Sequence, residues 1–253
     1  MTMEILREIR EGVRVENEMR LIYTREAYHK IPEISTPRIL DIGCGRGEVT
    51  LELARLSNGE VIGLDINQTS LNELTKKAEE NGLSDQIHVM NRSMHNMDFH
   101  DESFDILWSE GSIFMIGFEQ GLKAWRRFIR PGGFLVVHEM TWLQEYPPQE
   151  ILGHWVKVYS GIKTDYANLQ LITDCGYELI DHFQVPEEAW WHDYYGPLEA
   201  LILQLFEKYA SNPEALKVLE KVQHEVDLYR KYSKWYGSAF YIMMKPVNAE
   251  HAA

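Results

Sequence analysis

Short apolar runs alternate with amphipathic stretches along the middle of the chain. The runs RILDIG, from Arg38, and EVIGLDI, from Glu60, are typical of buried strands. Between and after them, GEVTLELARL and NQTSLNELTKKAEENGL carry apolar residues at helical spacing. Further strands are predicted at QIHVMNRS, SFDILWSEG and GGFLVVHEM, and a helix at FEQGLKAWRRFI. This alternation predicts a doubly wound α/β domain with a mostly parallel sheet.

Helical patterns dominate both ends of the chain. Residues 4–30 predict one or two amphipathic helices, which end before the proline-containing PEISTP. Residues 149–174 and 197–232 each predict two helices, separated by the strand YELIDHFQV and followed by the apolar, aromatic strand GSAFYIMMK. The expected organisation is an N-terminal helical cover at 1–35 and a domain at 36–253, with a helical insertion between its last two strands.

Composition fits one globular unit that is strongly acidic. The 253 residues are 45% apolar and 25% charged, ordinary values for a folded domain. Asp and Glu outnumber Lys and Arg by 39 to 25, which gives a net charge of -14. Because this field repels phosphate backbones and anionic lipid surfaces, neither a nucleic acid nor a membrane is an expected partner.

Cysteine content and hydropathy favour a reducing, aqueous compartment. The two cysteines, Cys44 and Cys175, are too few for a disulfide framework. The N-terminal MTMEILREIREGVRVENEMR is dense in charge, and no apolar run approaches the roughly 20 residues of a membrane span. A cytoplasmic location is therefore expected.

The turn after the first strand contains glycines at alternate positions, Gly43, Gly45 and Gly47. Glycine adopts positive φ and lets the backbone approach a ligand closely. In an open α/β sheet this turn lies at the carboxyl ends of the strands, where ligands bind. A dinucleotide fingerprint would place a further glycine at Glu48, so the spacing disfavours NAD without excluding it.

Two acids near this turn favour S-adenosylmethionine, a nucleoside that carries a positive sulfonium and no phosphates. Asp65 ends the second strand 22 residues after Gly43, where a carboxylate can accept hydrogen bonds from both ribose hydroxyls. Asp41, at the end of the first strand, is placed to hold the ligand's ammonium directly or through water. The turn and its acids together predict a ligand site at this edge of the sheet.

Four segments together resemble the class I S-adenosylmethionine-dependent methyltransferases, in particular the small-molecule group related to quinone-biosynthesis C-methyltransferases. These segments are LDIGCGRG, VIGLDIN, the run from Ser93 through SFDILWSEGSI, and IRPGGFLVV. WSEGSIFMIGFEQG also resembles a subset of uncharacterised bacterial and archaeal members. The resemblance implies a seven-stranded Rossmann-like sheet whose last, antiparallel strand inserts beside the fifth. It also implies a cofactor half at 36–140 and an acceptor-pocket half at 141–253.

The resemblance assigns cofactor-binding roles position by position. The methionine end of the cofactor would be lined by Asp41, Gly43, Cys44, Gly45 and Gly47, and Ser109, after the fourth strand, would lie under the methionine moiety. Asp65 would bind the ribose. Ile66 would contact one face of adenine, and Ser93 and Met94 would contact its edge and its other face. The family often has an aspartate where this chain has Ser93. Since a serine hydroxyl is the weaker acceptor, a modest cofactor affinity or a different loop is expected there.

Methyl transfer from a sulfonium needs alignment and a dry site more than a catalytic side chain. A base is required only if the acceptor arrives protonated, and the candidates at the strand ends are Glu110, His138 and Glu139. His138 alternates with Glu139 along its strand, so only one of the two can point toward the site.

The acceptor pocket is expected in the C-terminal part, which is rich in aromatic residues. Its candidate residues are Trp142, Trp190, Trp191, His192, Tyr194 and Tyr195. Aromatic rings make rigid walls for a planar or cationic ligand, but the same rings can equally join the helical insertion to the sheet. Both interpretations remain open from sequence.

The leading expectation is methyl transfer to a small, aromatic or amine-bearing acceptor, catalysed by a monomer or homodimer without a metal. No [DN]PP[FY] tetrapeptide of base-modifying enzymes follows the fourth strand, and Cys175 is the only thiol outside the glycine turn. Nucleic-acid bases and arsenic are therefore disfavoured as acceptors. The alternatives are another enzyme of the same fold, using NAD or transferring a different part of the cofactor, and a non-catalytic nucleoside-binding module.

Overall fold

The computed structural model describes residues 2–13 and 18–247, and its centre is one twisted sheet. The strands are β1 (Arg38–Ile42), β2 (Glu60–Asp65), β3 (Ile87–Asn91), β4 (Phe104–Glu110), β5 (Ile129–Trp142), β6 (Lys163–Thr164), β7 (Glu178–Val185) and β8 (Tyr236–Met244). Their order across the sheet is β3-β2-β1-β4-β5-β8-β7. The strand β8 is antiparallel to both β5 and β7, whereas the neighbouring pairs from β3 to β5 are parallel.

This order confirms the α/β fold class and the antiparallel last strand beside the fifth. The strand count differs, because the two-residue β6 adds a short parallel pairing to the carboxyl end of β5. A pair of residues, Lys163 and Thr164, is too short to produce a strand pattern in sequence. The seven longer strands are those that were predicted.

Ten α-helices lie around the sheet in the described part of the chain. They are α1 (Thr2–Gly12), α2 (Glu18–His29), α3 (Glu48–Ser57), α4 (Gln68–Glu80), α5 (Phe118–Trp125), α6 (Gln149–Val158), α7 (Asp165–Asp174), α8 (Glu187–Trp190), α9 (Gly196–Lys208) and α10 (Pro213–Tyr232). Alternating strand residues bury against α2, α3 and α4 on one face, and against α5 and α7 on the other. The helices α8, α9 and α10 form the predicted insertion between β7 and β8.

A third apolar cluster joins the N-terminal helix to this insertion. Ile5 and Ile9 of α1 are buried against α9 and α10, together with Leu198, Ile202 and Leu219. The segment EEAWWHDYYGP is helical throughout, because a π-helical turn at Trp191–Tyr195 connects α8 to α9. A π-helical turn widens the helix locally and often occurs at functional sites. The cluster therefore forms a helical layer beyond the carboxyl edge of the sheet.

Candidate functional site

The glycine turn between β1 and α3 has the backbone conformation that its sequence predicts. Gly43, Gly45 and Gly47 have φ angles of 76°, 55° and 85°, which other residues rarely adopt. The N–H groups of Gly43 and Cys44 donate to the carbonyl of Leu64 at 2.7 and 3.1 Å, so the turn is fixed to β2. A Cβ added at Gly45 would meet no atom within 4 Å, which leaves open space above the turn.

Asp65 orders two loops at the end of β2. Its Oδ2 accepts from the N–H of Gly45 at 2.9 Å, and its Oδ1 accepts from the N–H of Asn67 at 2.8 Å. An ionised carboxylate has about four acceptor positions, so further hydrogen bonds from a ligand are possible. The next side chain, Ile66, is 70% exposed and presents apolar surface beside this acid. An acid and an exposed aliphatic side chain thus lie side by side at the strand end.

The loop after β3 lies next to Ile66. Asn91 Nδ2 donates to the carbonyl of Ile66 at 3.0 Å, which joins the ends of β2 and β3. Ser93 Oγ accepts from the N–H of His95 at 3.2 Å, and Met94 is half-buried against the α5 face of the sheet. Ser93 and Met94, which are assigned to the edge and second face of adenine, therefore lie in the loop next to Ile66, which is assigned to its first face.

Asp41 and Cys44 face the interior. Asp41 is 2% exposed, and its Oδ2 accepts from Thr50 Oγ1 of α3 at 2.6 Å, which joins β1 to the helix that follows it. Cys44 is buried with its sulfur close to Gly63 of β2, and burial raises the pKa of its thiol above the ordinary value. A neutral, enclosed thiol packs as a small apolar group.

The end of β4 connects the glycine turn to the N-terminal helices. Ser109 was expected after this strand but lies within it, fully buried, with its Oγ 2.7 Å from Ser112 Oγ. Ser112 donates to the carbonyl of Ile42 at 2.5 Å, so these hydroxyls join β4 to β1. Glu110 is 6% exposed and accepts from Trp108 Nε1 at 2.7 Å and from Thr24 Oγ1 of α2 at 2.9 Å.

His138 of β5 occupies the position paired with Glu110 in the sheet register. Its Nε2 lies 2.7 Å from Ser238 Oγ, which also accepts from Trp190 Nε1 at 3.1 Å. The imidazole stacks on Phe240 with ring centroids 4.7 Å apart. Strand β8 and the helical insertion together hold this ring in place.

Between the sheet edge and the helical layer lies a cavity of about 520 Å³, a size typical of small-molecule sites. Gly111 and His138 line its sheet side, and Ile9 of α1, Tyr23 of α2 and Val222 of α10 line its helical side. Gly111 directly precedes Ser112, and a Cβ added at Gly43 would lie 2.4 Å from Ser112 Cβ. The cavity therefore adjoins the glycine turn.

Comparison with known proteins shows a similarity over the cofactor-site segment. Residues 39–133 match the family model described as a methyltransferase domain. The match covers the glycine turn, Asp65 and β4, the elements that form the site. Over these residues the chain is therefore similar to methyltransferase domains.

Curated relatives and solved structures resemble this chain at low sequence identity. A sterol 24-C-methyltransferase of Gibberella zeae is 28% identical over 154 residues, which are 57% of this chain and 40% of that protein. The solved S-adenosyl-L-homocysteine complex of a methyltransferase from Geobacter sulfurreducens has a TM-score of 0.77 at 20% identity, and the match covers 96% and 98% of the two chains. The [4+2]-cyclase SpnF has a TM-score of 0.72 at 22% identity, with 89% and 80% covered. The chain spans about two fifths of the length of the first curated relatives.

The six candidate pocket residues are distributed between cavity, core and surface. Trp190 and Tyr194 line the cavity. Trp142 packs beside Tyr236 in the third cluster, and Tyr195 stacks on Tyr229 with centroids 3.9 Å apart. Trp191 contacts Tyr195 and Tyr229 and lies under the Arg230 guanidinium, while His192 is exposed and binds Asp193. Part of this aromatic segment thus packs the insertion and part of it faces the cavity.

Sequence reasoning missed three polar residues that line the cavity. These are Tyr23, Asp193 and Glu225. Glu225 had a detectable signal, because it interrupts the apolar stripe of α10 formed by Val218, Val222 and Tyr229. Asp193 lies within a run of aromatic residues that gives no sequence signal. Its position on the cavity wall follows only from the π-helical conformation of this segment.

None of the helices in residues 2–13 and 18–247 is long and apolar enough to cross a membrane. Within the same residues no group of three or more His, Cys, Asp or Glu side chains has a metal-binding arrangement.

Proposed function

We propose that this protein is an S-adenosylmethionine-dependent methyltransferase that acts on a small molecule. One observation carries the proposal: three positive-φ glycines at the end of β1 lie beside Asp65 at the end of β2, with open space above Gly45. The methyltransferase family match and the names of the relatives support it. The acceptor, the reaction on it and the catalytic residues are part of the proposal.

The residues at the strand ends fit this cofactor. Asp65 would accept from the ribose hydroxyls while it continues to hold Gly45, and the exposed Ile66 would lie against one face of adenine. The glycine turn would admit the methionine end. Asp41 is bound to Thr50 and nearly inaccessible, so we assign it to shaping the turn and favour a water-mediated route to the ammonium over direct contact.

The cavity is the proposed acceptor site, with the N-terminal helices as its cover. When bound, the cofactor supplies an activated methyl group, which the cavity must align with the acceptor and shield from water. Glu110 of β4 and His138 of β5 are paired across the two strands, and they are the candidate bases. His138 has the clearer access, because it lines the cavity whereas Glu110 is bound by Trp108 and Thr24.

A dinucleotide cofactor is less well supported at the same turn. Glu48 begins α3 where a fingerprint glycine and a pyrophosphate would come close, and Lys77 binds its carboxylate at 2.5 Å. A phosphate there would lie close to the Glu48 carboxylate, and Lys77, the nearby cation, is already paired with that carboxylate. The exposed Ile66 and the cavity beside the turn give a methyltransferase the better fit.

Calorimetry on the wild-type chain and on Asp65→Ala tests this proposal. We expect binding of S-adenosylmethionine and S-adenosylhomocysteine but not of NAD, and a loss of about tenfold or more in affinity for Asp65→Ala, since hydrogen bonds to a charged acceptor contribute roughly 1.5–3 kcal/mol each. Asp85→Ala, which removes an exposed acid outside the site, is the matched control. Selective binding of NAD, or unchanged affinity in Asp65→Ala, would contradict the proposal.

A further inference from the structure

We propose that the cavity selects an amphiphilic amine, with the positive head group near Asp193 and Glu225 and the apolar body along α1 and α10. This inference rests on the proposed function, because it names the chemical class of the acceptor for the same site. The proposed function itself does not require a charged acceptor. The two can therefore fail independently.

The charges around the cavity all favour a cation. Asp193 and Glu225 line it, and in the part of the chain that the structure describes no Lys or Arg side chain does so. Glu26, Glu188 and Asp193 lie close enough to Tyr23 that, after burial, their negative charges contribute to raising its hydroxyl pKa. An anionic acceptor would meet this field without a basic partner, whereas an ammonium group would be stabilised by it.

Among the described residues, neither of the two cavity carboxylates forms an ion pair with a Lys or Arg side chain. Burial raises the pKa of Glu225, whose Oε1 accepts from Tyr194 Oη at 3.3 Å, so its surroundings disfavour an isolated negative charge. Asp193 Oδ1 is bound by the exposed His192 at 2.7 Å, and its Oδ2 is buried with no hydrogen-bond partner among the described residues. A ligand ammonium near these groups would offset the cost of burying them.

Aromatic rings beside the acids fit the same head group. Trp190 and Tyr194 line the cavity with Tyr23, and electron-rich ring faces attract ammonium groups that have lost part of their hydration. Trp190 is held by its hydrogen bond to Ser238, which also binds His138. The rings thus extend from the acids toward the strand end where methyl transfer is proposed.

The remaining walls require an apolar body. Leu6 and Ile9 of α1 and the following Val13 line the cavity together with Leu198 and Val222. Hydrophobic burial contributes about 0.8 kcal/mol for each CH₂ group, so a chain or ring system would bind there more tightly than a short amine. A hydrophilic amine would leave these walls without contacts.

Calorimetry with three probes of equal chain length tests the inference without cofactor or turnover. The probes are n-decylamine, decan-1-ol and decanoate, titrated into the wild-type chain and into Asp193→Asn, Glu225→Gln and the double variant. Glu220→Gln, an exposed acid on the same helix as Glu225, is the matched control. Decan-1-ol reports whether the apolar cavity remains intact in each variant.

We expect decylamine to bind the wild type and the control about tenfold or more tightly than decan-1-ol, and decanoate to bind weakest. Each single variant should lose several-fold in decylamine affinity while its decan-1-ol affinity stays constant, and the double variant should lose the preference. Equal binding of amine and alcohol by the wild type, a preference for decanoate, no binding of any probe, or a preference that survives in the double variant would overturn the inference. Failure of the proposed function would instead appear as absent cofactor binding, with these affinities unchanged.

Discussion

At the scale of single residues, Glu139 is a carboxyl group enclosed within the sheet. It is 3% exposed on β5, and burial raises its pKa to about 8 against the hydrogen bonds from the Met140 N–H and the Tyr159 hydroxyl. His138, its neighbour, lines the cavity from the opposite strand face. The alternation expected from sequence therefore leaves His138 as the residue that faces the proposed acceptor, and Glu139 as a neutral acid near pH 7.

Glu139→Gln should change the pH dependence of stability. Between the ordinary pKa of 4.5 and the folded value of about 8, the native state binds more protons than the unfolded state, so wild-type stability falls as pH rises through this window. The uncharged amide lacks this penalty. Relative to wild type, the variant should gain little near pH 5 and up to about 5 kcal/mol near pH 8.

Urea denaturation at three pH values across the window measures this difference. Glu145→Gln, on an exposed segment shortly after β5, is the control and should follow the wild-type curve. Parallel curves for Glu139→Gln and wild type would show that the carboxyl is not held neutral by its surroundings.

At the scale of structural elements, two glycines of the same turn are needed for different reasons, one for packing and the other for space that a ligand can occupy. A Cβ at Gly43 would lie 2.4 Å from Ser112 Cβ, whereas one at Gly45 would enter open space. Both residues have positive φ, so both substitutions cost backbone strain. Only the first also displaces the contact between the turn and the segment after β4.

Gly43→Ala should therefore destabilise the fold by about 3 kcal/mol or more, and Gly45→Ala by about 1–2 kcal/mol. Gly45→Ala should still weaken cofactor binding, because its methyl group projects into the space assigned to the ligand. Thermal or urea unfolding measures the first effect and calorimetry the second. Equal destabilisation by the two substitutions, or full cofactor affinity in Gly45→Ala, would contradict this assignment of the turn.

At the scale of the whole molecule, the cavity arises because chain segments distant in sequence meet over the carboxyl edge of the sheet. The helix α1 contributes Ile9, β5 contributes His138 and α10 contributes Val222. The sheet and glycine turn bring together the residues that are proposed to bind the cofactor. The N-terminal helices and the insertion enclose the neighbouring volume. The division into a cover, a cofactor half and an acceptor-pocket half stays a prediction.

Local patterns were sufficient for some of these features and not for others. Strand periodicity and the spacing of Gly43 to Asp65 predicted the sheet and the turn, since both depend on residues close in sequence. The helical course of Trp191–Tyr195 was missed because aromatic residues have weak helix preference, and tertiary packing such as the stack of Tyr195 on Tyr229 favours it. The cavity role of Glu225 depends on contacts between distant helices, which no local pattern contains.

The central claim is that this chain transfers a methyl group, and the fate of two labels tests it most directly. The chain would be incubated with amine-containing metabolite extracts and with S-adenosylmethionine labelled either in the methyl group or in the carboxyl group. We predict that only the methyl label enters a product, with an equal amount of S-adenosylhomocysteine formed, and that Asp65→Ala lowers both together at limiting cofactor concentration. Transfer of the carboxyl label, or no product above that of heat-inactivated protein, would contradict the account.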